Sequence, residues 1–334
     1  DRTSMKLPKC QDRLIEEVLK VQPNVVVVLH NGSPVELPWA DRVSAILEMY
    51  LGGQGVGEAC DRLLFGEANP SGRLSETFPY RLEDNPSFLH FPGNGKRVLY
   101  GEDIFVGYRY YDTKKVLVRY AFGHGLSYTE FAYGDLNLSS AQMTDEDILT
   151  VSFKVKNTGK TEGKEVVQLY VADLCGISER PVKELKGFAK VHLLPGEEKT
   201  VSMEILARDL SYYEERLGDW YAPSGTYRIL IGHASDDIRL HADIVFETQK
   251  ELPFRVDFTT TFGELLDHTK TAPVITELLS PLAEAAASAE GMSDEYKKLG
   301  EQVIREMPMK SLLGQMPGEQ VEQLIGQLNC LLAQ

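Results

Sequence analysis

The chain has 334 residues, of which 43% are hydrophobic and 25% charged. At roughly 100–200 residues per domain, this length favours two or three globular domains with more than one hydrophobic core. The formal net charge of −15 repels phosphate groups, which argues against nucleic acid and anionic membranes as partners. No apolar run reaches the ~18 residues that a membrane-spanning helix needs.

The cysteines indicate no metal or redox site. Cys10, Cys60, Cys175 and Cys330 are scattered and show no CxxC or zinc spacing. We expect them to be reduced, mostly buried thiols. We also expect no cofactor, no metal, and a cytoplasmic location rather than secretion. Because the chain opens on Asp1 rather than Met, we expect the natural N-terminus to lie elsewhere.

The first segment, residues 1–128, shows an α/β pattern. Helical spacing and an uninterrupted β-branched run alternate along the chain, as in a parallel sheet with helices on its faces. From residue 69 onward the composition turns to Gly, Pro, Tyr and Asn, which predicts a long structured loop with a functional or interface role. The predicted elements are a helix at 11–21, a strand at 24–29, a short helix at 40–44, a strand at 45–50 and a helix at 56–65.

The second segment, residues 129–250, changes to a period of two, with apolar residues alternating around 151–155, 167–171 and 227–231. Short alternating strands separated by turn residues predict an antiparallel β-sandwich that folds as its own unit.

The third segment, residues 251–334, is predicted to be helical. An apolar stripe runs along 321–332, and 283–290 is a strong helix former. Prolines divide the segment into short pieces, so we expect it to need a surface on which to dock.

Two motifs in the first segment resemble functional sites but lack residues that those sites require. The glycine turn 53–57 lacks the Lys-Ser/Thr of a phosphate-binding loop and is better explained by tight strand–helix packing. His30, Ser33 and Asp41 invite comparison with a hydrolase triad, but Ser33 lacks the G-x-S-x-G context of a strained nucleophile turn. We expect Ser33 to bond loop backbone groups instead.

The residues Glu102, Asp103, Tyr108 and Arg109 are the substrate-adjacent or interdomain candidates. Adjacent residues on an extended segment point to opposite faces, so Glu102 and Asp103 cannot form a glycosidase carboxyl pair. Ion pairing with Arg97 or Arg109 is the default expectation for these two carboxylates. The surrounding aromatic cluster could stack sugars, but we favour a role in joining two domains. The cluster comprises Tyr100, Phe105, Tyr108, Tyr110, Tyr111, Tyr120 and Phe122.

Several stretches resemble family 3 glycoside hydrolases. Residues 100–112 (YGEDIFVGYRYYD) and 121–129 (AFGHGLSYT) resemble two signatures of that family. Residues 157–159, 165–170 and 180–188 resemble its fibronectin type III-like domain. The tail resembles a helical extension of some bacterial members. The resemblance implies a truncated α/β sandwich domain (1–128), a fibronectin-like domain (129–250) and a helical extension (251–334).

The resemblance also implies where catalysis resides. In this family an aspartate nucleophile lies on a preceding (β/α)₈ barrel, and the acid/base glutamate lies shortly before an Asp-Arg pair similar to Asp1-Arg2. We therefore expect no catalytic residue in this chain, with both carboxylates upstream of Asp1. The implied partners are the missing barrel and a β-glucoside or oligosaccharide. We also expect self-association through exposed aromatics.

The implied function is that of the C-terminal part of a retaining exo-β-glycosidase, with β-glucosidase as the first choice. Two alternatives stay open. One is a non-catalytic carbohydrate-binding or scaffold fragment. The other is a subunit of a split β-glucosidase or β-xylosidase.

Overall fold

The structure is a computed structural model that describes residues 3–176, 179–287 and 294–333. It divides into two compact units, residues 1–250 and 251–334. The Asp1-Arg2 pair and the end of the predicted 283–290 helix lie outside the described residues. Across these ranges no helix combines the length and apolarity needed to cross a membrane.

The first part of the chain forms the predicted α/β layer. Strands β1 and β2 pair in parallel, with Val26 opposite Ala45, and Val27 and Leu29 pack into a core around the fully buried Trp39. Its helices and strands are α1 (Lys9–Leu19), β1 (Val26–Leu29), β2 (Ala45–Glu48) and α2 (Val56–Leu64).

Two expectations for this layer were wrong. Residues 40–44 form turns, because Ala40 and Arg42 donate their N–H groups to Leu37 and Trp39, three residues back. Strand β1 is not buried on both faces, since Val26 is 50% exposed. In the described residues the parallel sheet has two strands.

The 69–128 segment is more ordered than a loop. It contains β3 (Phe78–Pro79), α3 (Tyr108–Lys114) and β4 (Val118–Tyr120), and β3 pairs with β4. Helix α3, which was not predicted, begins after Gly107 (φ 56°) and stops at Lys115, whose left-handed φ of 54° ends the helix. This segment carries most of the candidate site described below.

The second segment is the predicted β-sandwich. The period-two residues Val151, Phe153, Leu169, Ile229 and Ile231 are 0–1% exposed and form its core. One sheet has the order β10-β7-β5 and the other β6-β14-β13-β8-β9, and the β6–β14 pair is parallel. The strands are β5 (Phe131–Leu138), β6 (Gln142–Thr144), β7 (Ile148–Asn157), β8 (Gly163–Asp173), β9 (Glu184–Leu193) and β10 (Glu198–Leu206). A short helix α4 (Ala207–Leu210) and a ribbon of β11 (Tyr212–Glu214) and β12 (Asp219–Tyr221) precede β13 (Gly225–Ala234) and β14 (Asp237–Glu247).

The ribbon contains a carboxylate that makes stability depend on pH. Arg216 donates to Glu214 Oε1 at 2.7 Å and to Oε2 at 3.0 Å. These bonds lower the pKa of Glu214 from 4.5 to about 2. Because the folded-state pKa is depressed, Glu214 stabilises the fold above pH 4.5 and loses that contribution as pH falls toward 2.

We therefore expect Glu214→Gln to show a smaller drop in melting temperature between pH 7 and pH 3 than the unmodified chain. Glu204→Gln is the matched control, because Glu204 is exposed on β10. Thermal melts at the two pH values measure the difference. An acid-induced drop of the same size in Glu214→Gln and the unmodified chain would contradict the assignment.

The tail forms a compact unit with its own core. Thr261 accepts from the Glu264 N–H, and the Glu264 carboxylate accepts from the Thr261 N–H, which caps α5. The apolar side chains Phe262, Ile275, Met309, Val321 and Leu328 pack together, so their burial does not require the expected docking surface. The helices are α5 (Phe262–Asp267), α6 (Ala272–Ala287), α7 (Asp294–Glu306) and α8 (Gly318–Leu332).

The expectation that the cysteines are mostly buried was wrong. All four are free, Cys10 and Cys330 are exposed, and Cys60 and Cys175 are partly buried. Cys10 and Cys330 lie on amphipathic helices, α1 and α8, at positions that face solvent.

Candidate functional site

A cavity of about 780 Å³ lies within residues 1–250. Its lining comes from the start of the chain and residues 33–34, from parts of 75–92 and from parts of 102–122. Pockets of roughly 300–1,000 Å³ hold small organic ligands. Four separate stretches of sequence therefore build one site large enough for a sugar with an attached group.

The cavity wall carries hydrogen-bonding side chains. Ser33, Glu76 and Glu102 line it. The Oε2 atom of Glu102 is buried, and the described residues give it no hydrogen-bond partner. A buried acceptor without a donor costs free energy unless something bonds to it. Glu102 is therefore placed to accept a hydrogen bond from a ligand hydroxyl.

Aromatic rings form the apolar part of the wall. Tyr108 and Phe122 stack with their ring centroids 4.8 Å apart and an interplanar angle of 24°. Tyr111 lies beside them and is 3% exposed, whereas Phe88 and Phe91 at the cavity are exposed. Rings of this kind pack against the apolar faces of sugars and against aromatic groups.

The four candidate residues predicted from the sequence separate into two groups. Glu102 and Tyr108 line the cavity, and Asp103 is exposed with a left-handed φ of 48°. Arg109 pairs with Glu184 of β9 at 2.9 Å, so the expected pairing of Arg109 with Glu102 or Asp103 was wrong. Burial raises the pKa of Glu184, but the charges of Lys186, Arg109 and Arg180 and the hydrogen bond from Arg180 together outweigh burial and lower that pKa overall.

The aromatic cluster divides between the cavity and the exposed surface. Tyr108 lines the cavity and also contacts Tyr170 of the sandwich edge-on, with centroids 5.9 Å apart. Tyr100 does neither and is 79% exposed. The sugar-stacking and domain-joining roles of the cluster stay predictions.

The triad pattern does not assemble. The Asp41 carboxylate accepts from Arg119 at 2.5 Å, and His30 is exposed. Ser33 lies in the cavity wall. In the glycine turn 53–57, a Cβ added to Gly53, Gly55 or Gly57 would meet no atom within 4 Å, so the expected tight strand–helix packing at these glycines was wrong.

Sequence reasoning missed a buried charge cluster between the two parts of residues 1–250. Glu165 is 0% exposed and accepts from Arg73 at 2.7 Å and from the Tyr133 hydroxyl at 2.7 Å. His233 Nδ1 lies 2.6 Å from Glu165 Oε1, and its Nε2 lies 2.8 Å from the Gly125 carbonyl oxygen. A signal existed, because Glu165 occupies an inward position of an otherwise apolar alternating strand.

Among residues 3–176, 179–287 and 294–333, no three His, Cys, Asp or Glu side chains are arranged so that they could hold one ion.

Comparison with known proteins identifies both parts of the first unit. Residues 1–128 match the glycosyl hydrolase family 3 C-terminal domain, and residues 165–235 match the fibronectin type III-like domain. An α/β layer joined to such a sandwich is the C-terminal architecture of a family of glycosidases. The chain belongs to glycosyl hydrolase family 3.

Similar proteins are β-glucosidases. The thermostable beta-glucosidase B of Acetivibrio thermocellus is 46% identical over 98% of this chain and 44% of its own length. The beta-glucosidase of Kluyveromyces marxianus is 46% identical over 75% of this chain and 29% of its own length. The chain therefore spans less than half the length of these curated relatives.

Solved structures agree in fold. The GH3 beta-glucosidase of Bifidobacterium adolescentis superposes with a TM-score of 0.75 at 38% identity, over 82% of this chain and 40% of that one. The Kluyveromyces marxianus beta-glucosidase in complex with glucose gives a TM-score of 0.70 at 44% identity, over 74% of this chain and 30% of that one.

Proposed function

We propose that this chain is the C-terminal portion of a retaining, exo-acting β-glucosidase that releases terminal β-linked glucose. The observation that carries the proposal is the 46% identity, across 98% of the chain, with a thermostable beta-glucosidase. The cavity supports the proposal, because its wall combines stacked aromatic rings with a buried carboxylate oxygen that has no hydrogen-bond donor among the described residues.

The reaction needs two carboxyl groups about 5 Å apart, one as nucleophile and one as acid and then base. We assign neither role within this chain and place both on a barrel-bearing portion of the whole protein. The residues of this chain then act on binding. Glu102 accepts a hydrogen bond from a substrate hydroxyl group, and the Tyr108–Phe122 pair packs against an apolar face of the substrate.

The proposed partner surface is an exposed apolar segment, residues 88–106. Leu89 is 86% exposed, Leu99 64% and Tyr100 79%. Contiguous apolar exposure of this kind marks a surface that another protein surface covers. We propose that the barrel portion of the same protein covers it, next to the cavity.

A chimera tests the proposal. This chain replaces the matching 44% of the Acetivibrio thermocellus relative, and release of p-nitrophenol from p-nitrophenyl β-glucoside is measured. We expect the chimera to turn over the substrate within about tenfold of that relative. The chain alone should fall several orders of magnitude short, since loss of catalytic groups costs that much.

The control is the relative without its matching portion, which should be inactive. A chimera that is folded by circular dichroism but inactive would contradict the proposal. Sugar binding by the chain together with such inactivity would favour the carbohydrate-binding alternative.

A further inference from the structure

The outer face of strand β8 is buried, although in an isolated β-sandwich this face would be exposed to solvent. Val167, Leu169 and Val171 point into the sandwich core. Gln168 and Tyr170 alternate with them and point away from it, yet they are 3% and 0% exposed. Antiparallel sheets commonly leave one face to solvent, so the α/β part covers this one.

The contact that buries the outer face of β8 involves a residue of the cavity wall. The Tyr170 ring stands edge-on to Tyr108, with centroids 5.9 Å apart and planes at 77°. Tyr108 in turn stacks on Phe122, and both of these residues line the cavity. Edge-to-face and offset-stacked pairs are the favoured aromatic geometries, so the three rings form one packed series.

Backbone groups of the sandwich hold the same two cavity residues. The Leu185 N–H of β9 donates to the Tyr108 hydroxyl oxygen at 2.7 Å. The Ser235 N–H donates to the Phe122 carbonyl at 2.9 Å. Tyr108 is therefore bound to the sandwich by its hydroxyl group and its ring, and Phe122 by its backbone carbonyl.

Gln168 completes the attachment. Its Nε2 donates to the carbonyl oxygens of Gly123 at 3.1 Å and His233 at 2.5 Å, and its Oε1 accepts from the Tyr170 hydroxyl at 2.6 Å. Gly123 has a φ of +83°, and a Cβ there would lie 2.1 Å from Gln168 Oε1. Only glycine lets the chain after Phe122 approach this closely.

We propose that the fibronectin-like domain positions the aromatic wall of the ligand cavity, with Tyr170 and Gln168 as positioning residues for Tyr108 and Phe122. The ligand class is a β-glucoside with an aromatic aglycone, and this assignment rests on the proposed function. A wall held in place before binding loses little entropy when the ligand arrives, which raises affinity.

The first arm of the test does not depend on any ligand. Aromatic NMR resonances of Tyr108 and Phe122 are compared in the full chain and in Tyr170→Leu, Tyr170→Phe and Gln168→Met. We expect both resonances to move in Tyr170→Leu and Gln168→Met, and to stay near their original positions in Tyr170→Phe, which keeps the ring. Tyr227→Leu is the matched control, because Tyr227 is equally buried but faces the sandwich core.

The second arm measures affinity for phenyl β-D-glucopyranoside and for methyl β-D-glucopyranoside, which lacks the ring. Tyr170→Leu should weaken binding of the phenyl glucoside roughly threefold to tenfold, the range that one aromatic contact supports. Binding of the methyl glucoside should change less than twofold. Tyr170→Phe should restore the affinity for the phenyl glucoside.

The two arms separate the two proposals. Failure of the unmodified chain to bind either glucoside, with the resonances moving as expected, removes the ligand assignment but keeps the positioning role. Unmoved Tyr108 and Phe122 resonances in Gln168→Met, or in a folded Tyr170→Leu, overturn the positioning role. The positioning role is also overturned if Tyr170→Leu and Tyr227→Leu weaken binding by the same factor and do so for both glucosides.

Discussion

Replacing Glu165 by leucine is expected to lower the free energy of unfolding of residues 1–250 by about 3–5 kcal/mol, the usual cost of removing one partner of a buried ion pair. The carboxylate is fully buried and bonds to Arg73, Tyr133 and His233. The Arg73 side chain is only 6% exposed. Its charge would stay buried without a partner, and the Tyr133 hydroxyl would lose its acceptor.

Burial raises the pKa of the Tyr133 phenol, and the neighbouring Glu165 charge raises it further. The hydroxyl therefore keeps its proton and remains a donor to the carboxylate at all working pH values.

Urea unfolding followed by tryptophan fluorescence measures the loss. The chain has two tryptophans, Trp39 in the α/β part and Trp220 in the sandwich, and both lie in residues 1–250. The double variant Arg73→Leu/Glu165→Leu should lose less than the sum of the two single variants, because no charge is then left unpaired.

The exposed ion pair between Arg228 and Asp243 provides the comparison. Both partners are well exposed, and the pair joins β13 to β14 at 2.6 Å. Exposed pairs contribute little because water screens them. If Glu165→Leu is no more destabilising than Asp243→Asn, the buried cluster does not hold the two parts together.

The second large effect concerns the tail. Phe262→Ala removes a side chain that is 1% exposed at the centre of the tail core. Such truncations cost about 3–5 kcal/mol, which approaches the whole stability of a domain this small. We expect the tail to unfold, with loss of helical circular dichroism at 222 nm, while the tryptophan-monitored transition of residues 1–250 is unchanged.

Leu299→Ala is the control for the tail experiment. Leu299 lies on α7 and is 56% exposed, so its truncation should leave the helical signal intact. A shift of the tryptophan-monitored transition by Phe262→Ala would show that the two units do not unfold independently. Retention of the full helical signal would show that the tail core contributes little.

Local patterns predicted most of the sandwich. In strands where apolar and polar residues alternate, the apolar positions predict the core residues, as at Val151 and Ile229, because side chains along a strand point to the two faces in turn. Helix α3 was not predicted because Tyr108–Lys114 has five β-favouring or polar residues and only two good helix formers, Arg109 and Lys114. Its position depends on contacts with β9. Its Arg109–Glu184 pair spans two segments far apart in sequence.

The cavity could not be predicted from local pattern. Residues Ser33, Phe88 and Phe122 lie far apart in the sequence and meet only in the folded α/β part. The sequence predicted opposite orientations for Glu102 and Asp103, and Glu102 lines the cavity whereas Asp103 is exposed. The predicted extended backbone was wrong, because residues 101–104 form a turn with a left-handed backbone at Asp103.

The most direct test of the proposed glucoside site is to measure kcat/KM of the chimera for phenyl β-D-glucopyranoside, with and without the substitution Tyr108→Ala. If the cavity of this chain is part of the glucoside site, kcat/KM falls roughly tenfold, the effect of losing about 1.4 kcal/mol of aromatic contact. Tyr213→Ala, which alters an exposed tyrosine of the β11–β12 ribbon, leaves it within twofold. An unchanged kcat/KM in a folded Tyr108→Ala chimera contradicts the account.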